Sequence, residues 1–129
     1  MNIKSLQDLN LLPIAEKDTE IGERIKSILC LAVENTCTIT EIADAIVDVI
    51  FNAAYMVFIP KDIESDILKW ISRTYDQNNL EYIDALSTIF ANMSTIESTN
   101  TLKRYILNAQ NIEAKNLLDE VIKERENAT

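Results

Sequence analysis

A single glycine, Gly22, serves the whole chain, and only two prolines, Pro13 and Pro60, interrupt it. Sandwiches and barrels turn tightly at short intervals and need such residues at each turn, so this scarcity excludes them. Apolar residues recur instead at three- and four-residue spacings, the period of a helix. The expected fold is all-α. At 129 residues the chain is expected to form one domain, 1–129, large enough to bury a core without staples.

The spacing predicts a short helix within residues 2 to 12, carrying Ile3, Leu6, Leu9, Leu11 and Leu12 onto the core before Pro13. Helix one is expected from about Thr19 to Asn35, with Ile21, Ile25, Ile28, Leu29 and Ala32 facing inward. Thr38-Ile-Thr-Glu41 is a capping box, in which the hydroxyl and the carboxylate satisfy free backbone donors. It opens helix two, expected to run to about Phe58 and to stop before Pro60. Helix three follows from about Lys61 to Tyr75. The Asp-Gln-Asn-Asn run at 76 to 79 is a turn, with Asn78 or Asn79 as the next cap. Helix four then runs to about Asn92. Ser94-Thr-Ile-Glu97 reads as a second capping box opening helix five, and Asn111 as the cap of helix six. The charged tail from Lys123 is expected to fray.

One pattern recurs on the even-numbered helices. It reads Glu41-Ile-Ala-Asp44, Glu81-Tyr-Ile-Asp84 and Glu113-Ala-Lys-Asn116, each followed by apolar residues. Residues three apart share one helical face. Repetition at roughly 30 to 40 residues marks stacked helical hairpins, here one-two, three-four and five-six. The arrangement resembles HEAT-like repeats, which implies a short solenoid; an irregular helical bundle is the alternative.

Net charge is −9, from 21 acidic and 12 basic residues. Such a surplus repels phosphate backbones and anionic lipid and attracts basic partners, so neither nucleic acid nor membrane is an expected partner. Lys103-Arg104 and Lys123-Glu-Arg125 are isolated basic spots. Histidine is absent, which removes histidine-based catalysis and the commonest zinc ligand. Cys30 and Cys37 are too few for a four-ligand metal site. Cys30 lies in an apolar stretch and is expected to be a buried, reduced thiol in a cytoplasmic protein, a Cys30–Cys37 disulfide being the alternative. The start of the chain lacks the apolar core of a signal peptide. The most apolar segment, Ala43 to Ile59, carries Asp44, Asp48 and Asn52 along one face, unlike a membrane span. Its Phe51, Tyr55, Met56 and Phe58 make self-association through helix two a further expectation.

If the second helices lie side by side, Glu41, Asp44 and Asp48 neighbour Glu81 and Asp84, and Glu113, Asn116 and Glu120 continue the row. Trp70 and Tyr82 are the expected aromatic anchors beside this acidic surface. In its small size, acidity and helical repetition the chain resembles bacterial immunity proteins of the contact-dependent growth inhibition type. The resemblance implies stoichiometric binding of a basic toxin domain, often a nuclease, with no catalysis and no cofactor.

A second resemblance rests on Glu20-Ile-Gly22-Glu23 followed by Glu41-Ile-Ala-Asp44. These are similar to the ExxE and ExxD motifs of all-α nucleoside-triphosphate pyrophosphatases. That likeness implies Glu20, Glu23, Glu41 and Asp44 as Mg²⁺ ligands, with Arg24 or Lys26 against phosphate oxygens. Two carboxylates on each of two facing helices would offer the hard oxygen ligands such a metal takes.

Overall fold

The computed structural model describes residues 4–34, 37–53 and 58–127. Among them lie a 3₁₀ helix, Leu6–Leu11, and six α-helices: α1 Asp18–Val33, α2 Ile39–Phe51, α3 Lys61–Thr74, α4 Leu80–Ala91, α5 Ile96–Leu107 and α6 Ile112–Asn127. The protein is all-α, as the scarcity of breakers implies. None of these helices is long and apolar enough to cross a membrane.

The helices form two rows. Helices α2, α4 and α6 pack side by side with α4 in the middle, and α1, α3 and α5 make the second row. Helix α1 packs closely on α2, and α5 on α6. The recurring motif is the burial register of the first row. Ile42, Ala43, Ala45, Ile46 and Val49 of α2 are buried, and so are Tyr82, Ile83, Ala85, Leu86 and Ile89 at the matching positions of α4. On α6 only Ala114, Leu118 and Val121 are buried. Gly22 has a packing reason. A Cβ there would lie 3.1 Å from Ile63 and 3.2 Å from the Pro60 ring, so the missing side chain lets α1 approach the start of α3.

Polar side chains tie the first turns of α2, α4 and α6 to one another and to the preceding loops at the end where these helices begin. Asn79 caps α4 by accepting from the Tyr82 amide, and its Nδ2 donates to Thr40 at 3.0 Å. Asn111 caps α6 through the Ala114 amide, and its Nδ2 donates to Asn78. Gln77 accepts from the amides of Gln110 and Asn111 at 2.7 and 2.9 Å. Tyr75 and Tyr105 stack behind these turns with centroids 3.9 Å apart.

The opposite end depends on two charged side chains. Glu64 of α3 is only 1% exposed. Its carboxylate accepts from the amides and hydroxyls of Ser94 and Thr95, the segment that leads from α4 into α5. Arg125 of α6 reaches the same turn and donates to the Phe90 and Met93 carbonyls and to Thr99 Oγ1. Together they satisfy donors and acceptors that the chain reversal would otherwise bury unpaired. Burial lowers the Arg125 pKa, and the negative charge of Glu64 offsets part of that effect.

Several expectations are corrected here. Helix α2 ends at Phe51, not near Phe58, because Asn52 takes the cap position and Ala53 turns away to bridge Ala15. Phe51 and Phe58 are exposed by 69% and 62%, while Tyr55 and Met56, like Ile3 and Asn35, lie outside the described residues. Cys30 is exposed rather than buried, since it stands two positions past Ile28 and so on the far side of the α1 stripe. The cap of α5 is Thr95, which accepts from the Ser98 amide; Ser94 instead faces Glu64. The tail does not fray at Lys123, because Arg125 anchors the last turn of α6.

Glu64→Ala is expected to cost about 2 kcal/mol by leaving the part-buried amides and hydroxyls of Ser94 and Thr95 without their acceptor, and Glu64→Gln less, because an amide oxygen still accepts. Arg125→Met should cost about 2 kcal/mol for the stranded carbonyls. Urea unfolding with an unchanged slope measures both. Losses below about 0.5 kcal/mol would show that solvent replaces the clamp.

Candidate functional site

The acids of the recurring motif occupy two kinds of helical position. Glu41, Glu81 and Glu113 all lie in the first turns of their helices, where the exposed amides favour negative charge. Glu41 completes the expected capping box: its carboxylate accepts from the Thr38 amide at 2.9 Å, and Thr38 Oγ1 accepts from the Glu41 amide at 3.1 Å. The bond to the Thr38 backbone holds the Glu41 pKa below the usual carboxylate value. These glutamates therefore have a local structural role.

Asp44, Asp48 and Asp84 have no such role. Asp44 and Asp48 are four residues apart on α2, where like charges destabilise a helix. Asp48 stands in the last turn of α2, which holds no basic residue, so it opposes the helix dipole. Partial burial raises the Asp44 pKa, and the charges of Asp48, Glu81 and Asp84 raise it further. The structure thus gathers the acids of α2 and α4 as the sequence suggests. No cation pairs with Asp44, Asp48, Glu81 or Asp84 among the described residues; the ion pairs there are Glu20–Arg24 and Asp119–Lys123.

The row weakens beyond α4. Glu113, Asn116 and Glu120 are exposed on α6, but Glu113 and Glu120 are not among the charges acting on Asp44. Lys115 and the Asp119–Lys123 pair also give α6 a mixed surface.

The expected aromatic anchors are core residues. Tyr82 is 0% exposed and Trp70 is buried, and their rings meet edge to face with centroids 6.0 Å apart. Thr74 Oγ1 donates its single proton to the Trp70 carbonyl, so Tyr82 is the donor in the 3.0 Å hydrogen bond between the two hydroxyls. Burial raises the Tyr82 pKa. Both positions fall on the inward side of their helices, which the apolar spacing of α3 and α4 already marked. Neither belongs to a docking surface.

The structure does not bring Glu20, Glu23, Glu41 and Asp44 together as one group. Among the described residues no three Asp, Glu, Cys or His side chains are grouped to hold a metal ion. Glu20 faces Arg24 at 3.8 Å, Glu23 points to solvent, and Glu41 is engaged in its cap.

The acids of α2, Glu41, Asp44 and Asp48, also line a cleft of about 460 Å³ that this helix shares with residues of the 3₁₀ helix. Leu6, Leu9, Leu12 and Arg24 also line it. Arg24 falls at the helical spacing of Ile21, Ile25 and Ile28, a charge inside the apolar stripe, and is only 6% exposed. Its Nη2 donates to the Pro13 carbonyl at 2.6 Å, which holds the 3₁₀ segment against α1. Sequence reasoning saw Arg24 only as a phosphate contact; its place in the stripe was the signal for burial.

Comparison with protein-family models, curated proteins and solved structures gives no match.

Asp44→Asn is expected to raise the melting temperature by about 1 to 2 °C at neutral pH, the scale of one relieved like-charge pair. An aspartate whose pKa is higher folded than unfolded loses stability as pH rises through that interval. The gain should therefore disappear below the ordinary aspartate value of 3.8 and shrink with added salt. Thermal melts across pH test this, and a gain that persists in acid would contradict it.

Proposed function

We propose that this protein binds stoichiometrically to a basic protein partner through the acidic face of α2 and α4, acting as an immunity-type inhibitor of a toxin domain. The observation that carries this reading is the uncompensated crowding of Asp44, Asp48, Glu81 and Asp84. Charges held together without cations cost the free protein stability. A cationic partner that approaches this face relieves their repulsion, so the stored unfavourable energy becomes binding energy. The field of a chain with net charge −9 also speeds the encounter with a basic surface.

The clearest support comes from Asp48, whose position in the last turn of α2 opposes the stability of its own helix. Side chains that disfavour the fold point to a role outside it. The nuclease class of the partner rests on the resemblance to immunity proteins, because phosphate-binding clefts are basic and accept a carboxylate-rich plug.

Asp48→Lys and Asp84→Lys are expected to leave the melting temperature unchanged or raise it. Each should weaken binding by at least about tenfold, the effect of losing one close charge pair across an interface. The assay is co-expression with the C-terminal domain encoded by the gene immediately upstream, scoring survival and a purified one-to-one complex. Rescue by the unaltered chain and its loss in the double variant are the expected results. A domain that kills equally with and without this chain, or a complex indifferent to both reversals, would sink the reading.

A further inference from the structure

Residues 5–12 are held differently from the rest of the fold. The 3₁₀ helix Leu6–Leu11 buries none of its residues, despite carrying Leu6, Leu9 and Leu11. Leu11 is 83% exposed. Leu6, Leu9 and Leu12 instead line the cleft of about 460 Å³, together with the buried Ala45 and Val49 of α2. A cleft of that size has room for several waters, so the leucines facing it lack the partner atoms a packed core supplies. Among the described residues the segment's hydrogen bonds are local. The Asp8 carboxylate accepts from the amides of Lys4 and Ser5, and the amides of Asp8 and Leu12 donate to the carbonyls of Ser5 and Leu9. Such bonds move with the segment and do not fasten it to a neighbour. Directly afterwards the chain becomes fixed. Arg24 holds the Pro13 carbonyl at 2.6 Å, and Ala15 is 0% exposed and bridges Ala53.

We propose that residues 5–12 form a strap that opens as one unit about Pro13, widening the cleft along Ala45 and Val49 while the six α-helices stay folded. A segment with few buried apolar contacts opens at a far smaller free energy than the core it lies on. Its own local bonds keep it together as it moves, and the anchored Pro13 carbonyl marks where the movement stops. The strap is thus a gate on the cleft. It belongs to the free chain and does not rest on the partner proposed above.

Hydrogen exchange of the ¹⁵N-labelled protein reads this opening residue by residue. The amides of Asp8 and Leu12 should exchange at least about a hundredfold faster than those of Ile25 and Ile28 in α1, and with one shared protection factor. Leu6→Ser with Leu9→Ser should lower the melting temperature by less than about 2 °C, because these side chains add little to the folded core. The same variant should shift the methyl signals of Ala45 and Val49 and leave that of Leu118 on α6 in place. Arg24→Gln should leave exchange at Asp8 and Leu12 unchanged, since its bond lies beyond the hinge; if that variant does not fold, the other measurements decide. A smaller ratio of exchange rates or a larger loss of melting temperature overturns the proposal. So does a rate that falls steadily from residue 5 to residue 12, the mark of progressive fraying, or unmoved Ala45 and Val49 signals.

Discussion

The turn between α4 and α5 is held from two sides, by the Glu64 carboxylate against its donors and by the Arg125 guanidinium against its acceptors. A chain reversal between packed helices brings unpaired amides and carbonyls into a region that water reaches poorly. Here α3 and α6 each lend a charged group to a turn that belongs to neither. The geometry ties both rows of helices together, because α3 lies in one row and α6 in the other. Charged groups can occupy this interior only because each has several hydrogen-bond partners, which offset the loss of hydration. Helix α6 buries only three residues, and Arg125 adds a polar anchor near its end.

Much of the architecture was legible in the chain. The caps are local chemistry, decided within four residues: Thr38 and Asn111 occur where the sequence places them, and of Asn78 and Asn79 it is Asn79 that caps α4. The repeating Glu-x-x-Asp motif marked the register in which α2 and α4 bury matching positions. What could not be read was decided by distant segments. Ser94 looked like a cap because its neighbours fit a capping box, yet Glu64, thirty residues earlier, takes its amide and hydroxyl. The end of α2 was misplaced because the apolar run continues past Phe51, whereas the chain turns at Asn52 to meet Ala15. Arg24 and Glu64 carry the same lesson: a charge at a core position of an amphipathic helix is a buried partner awaiting identification.

The acidic surface divides along the same line. Glu41 and Glu81 sit where their helices gain from negative charge, so their presence needs no partner to explain it. Asp44, Asp48 and Asp84 sit where the fold gains nothing. Only comparison of their positions with the helix ends, which the folded structure supplies, separates the two groups. Tyr82 and Trp70 show the opposite case, in which residues suited to an interface are used up by the interior.

The polar ties described above share a property of range. Thr40 meets Asn79, Asn78 meets Asn111, Glu64 meets Ser94 and Arg125 meets Phe90, at separations of 39, 33, 30 and 35 residues. Each joins segments far apart in the chain, and the largest helix contacts of the first row do the same through α4. These ties cross the same buried core to which all six α-helices contribute, so they couple its parts to one another. Helix α4, which meets both α2 and α6 and buries six of its residues, is placed to be the last to exchange its amides with solvent.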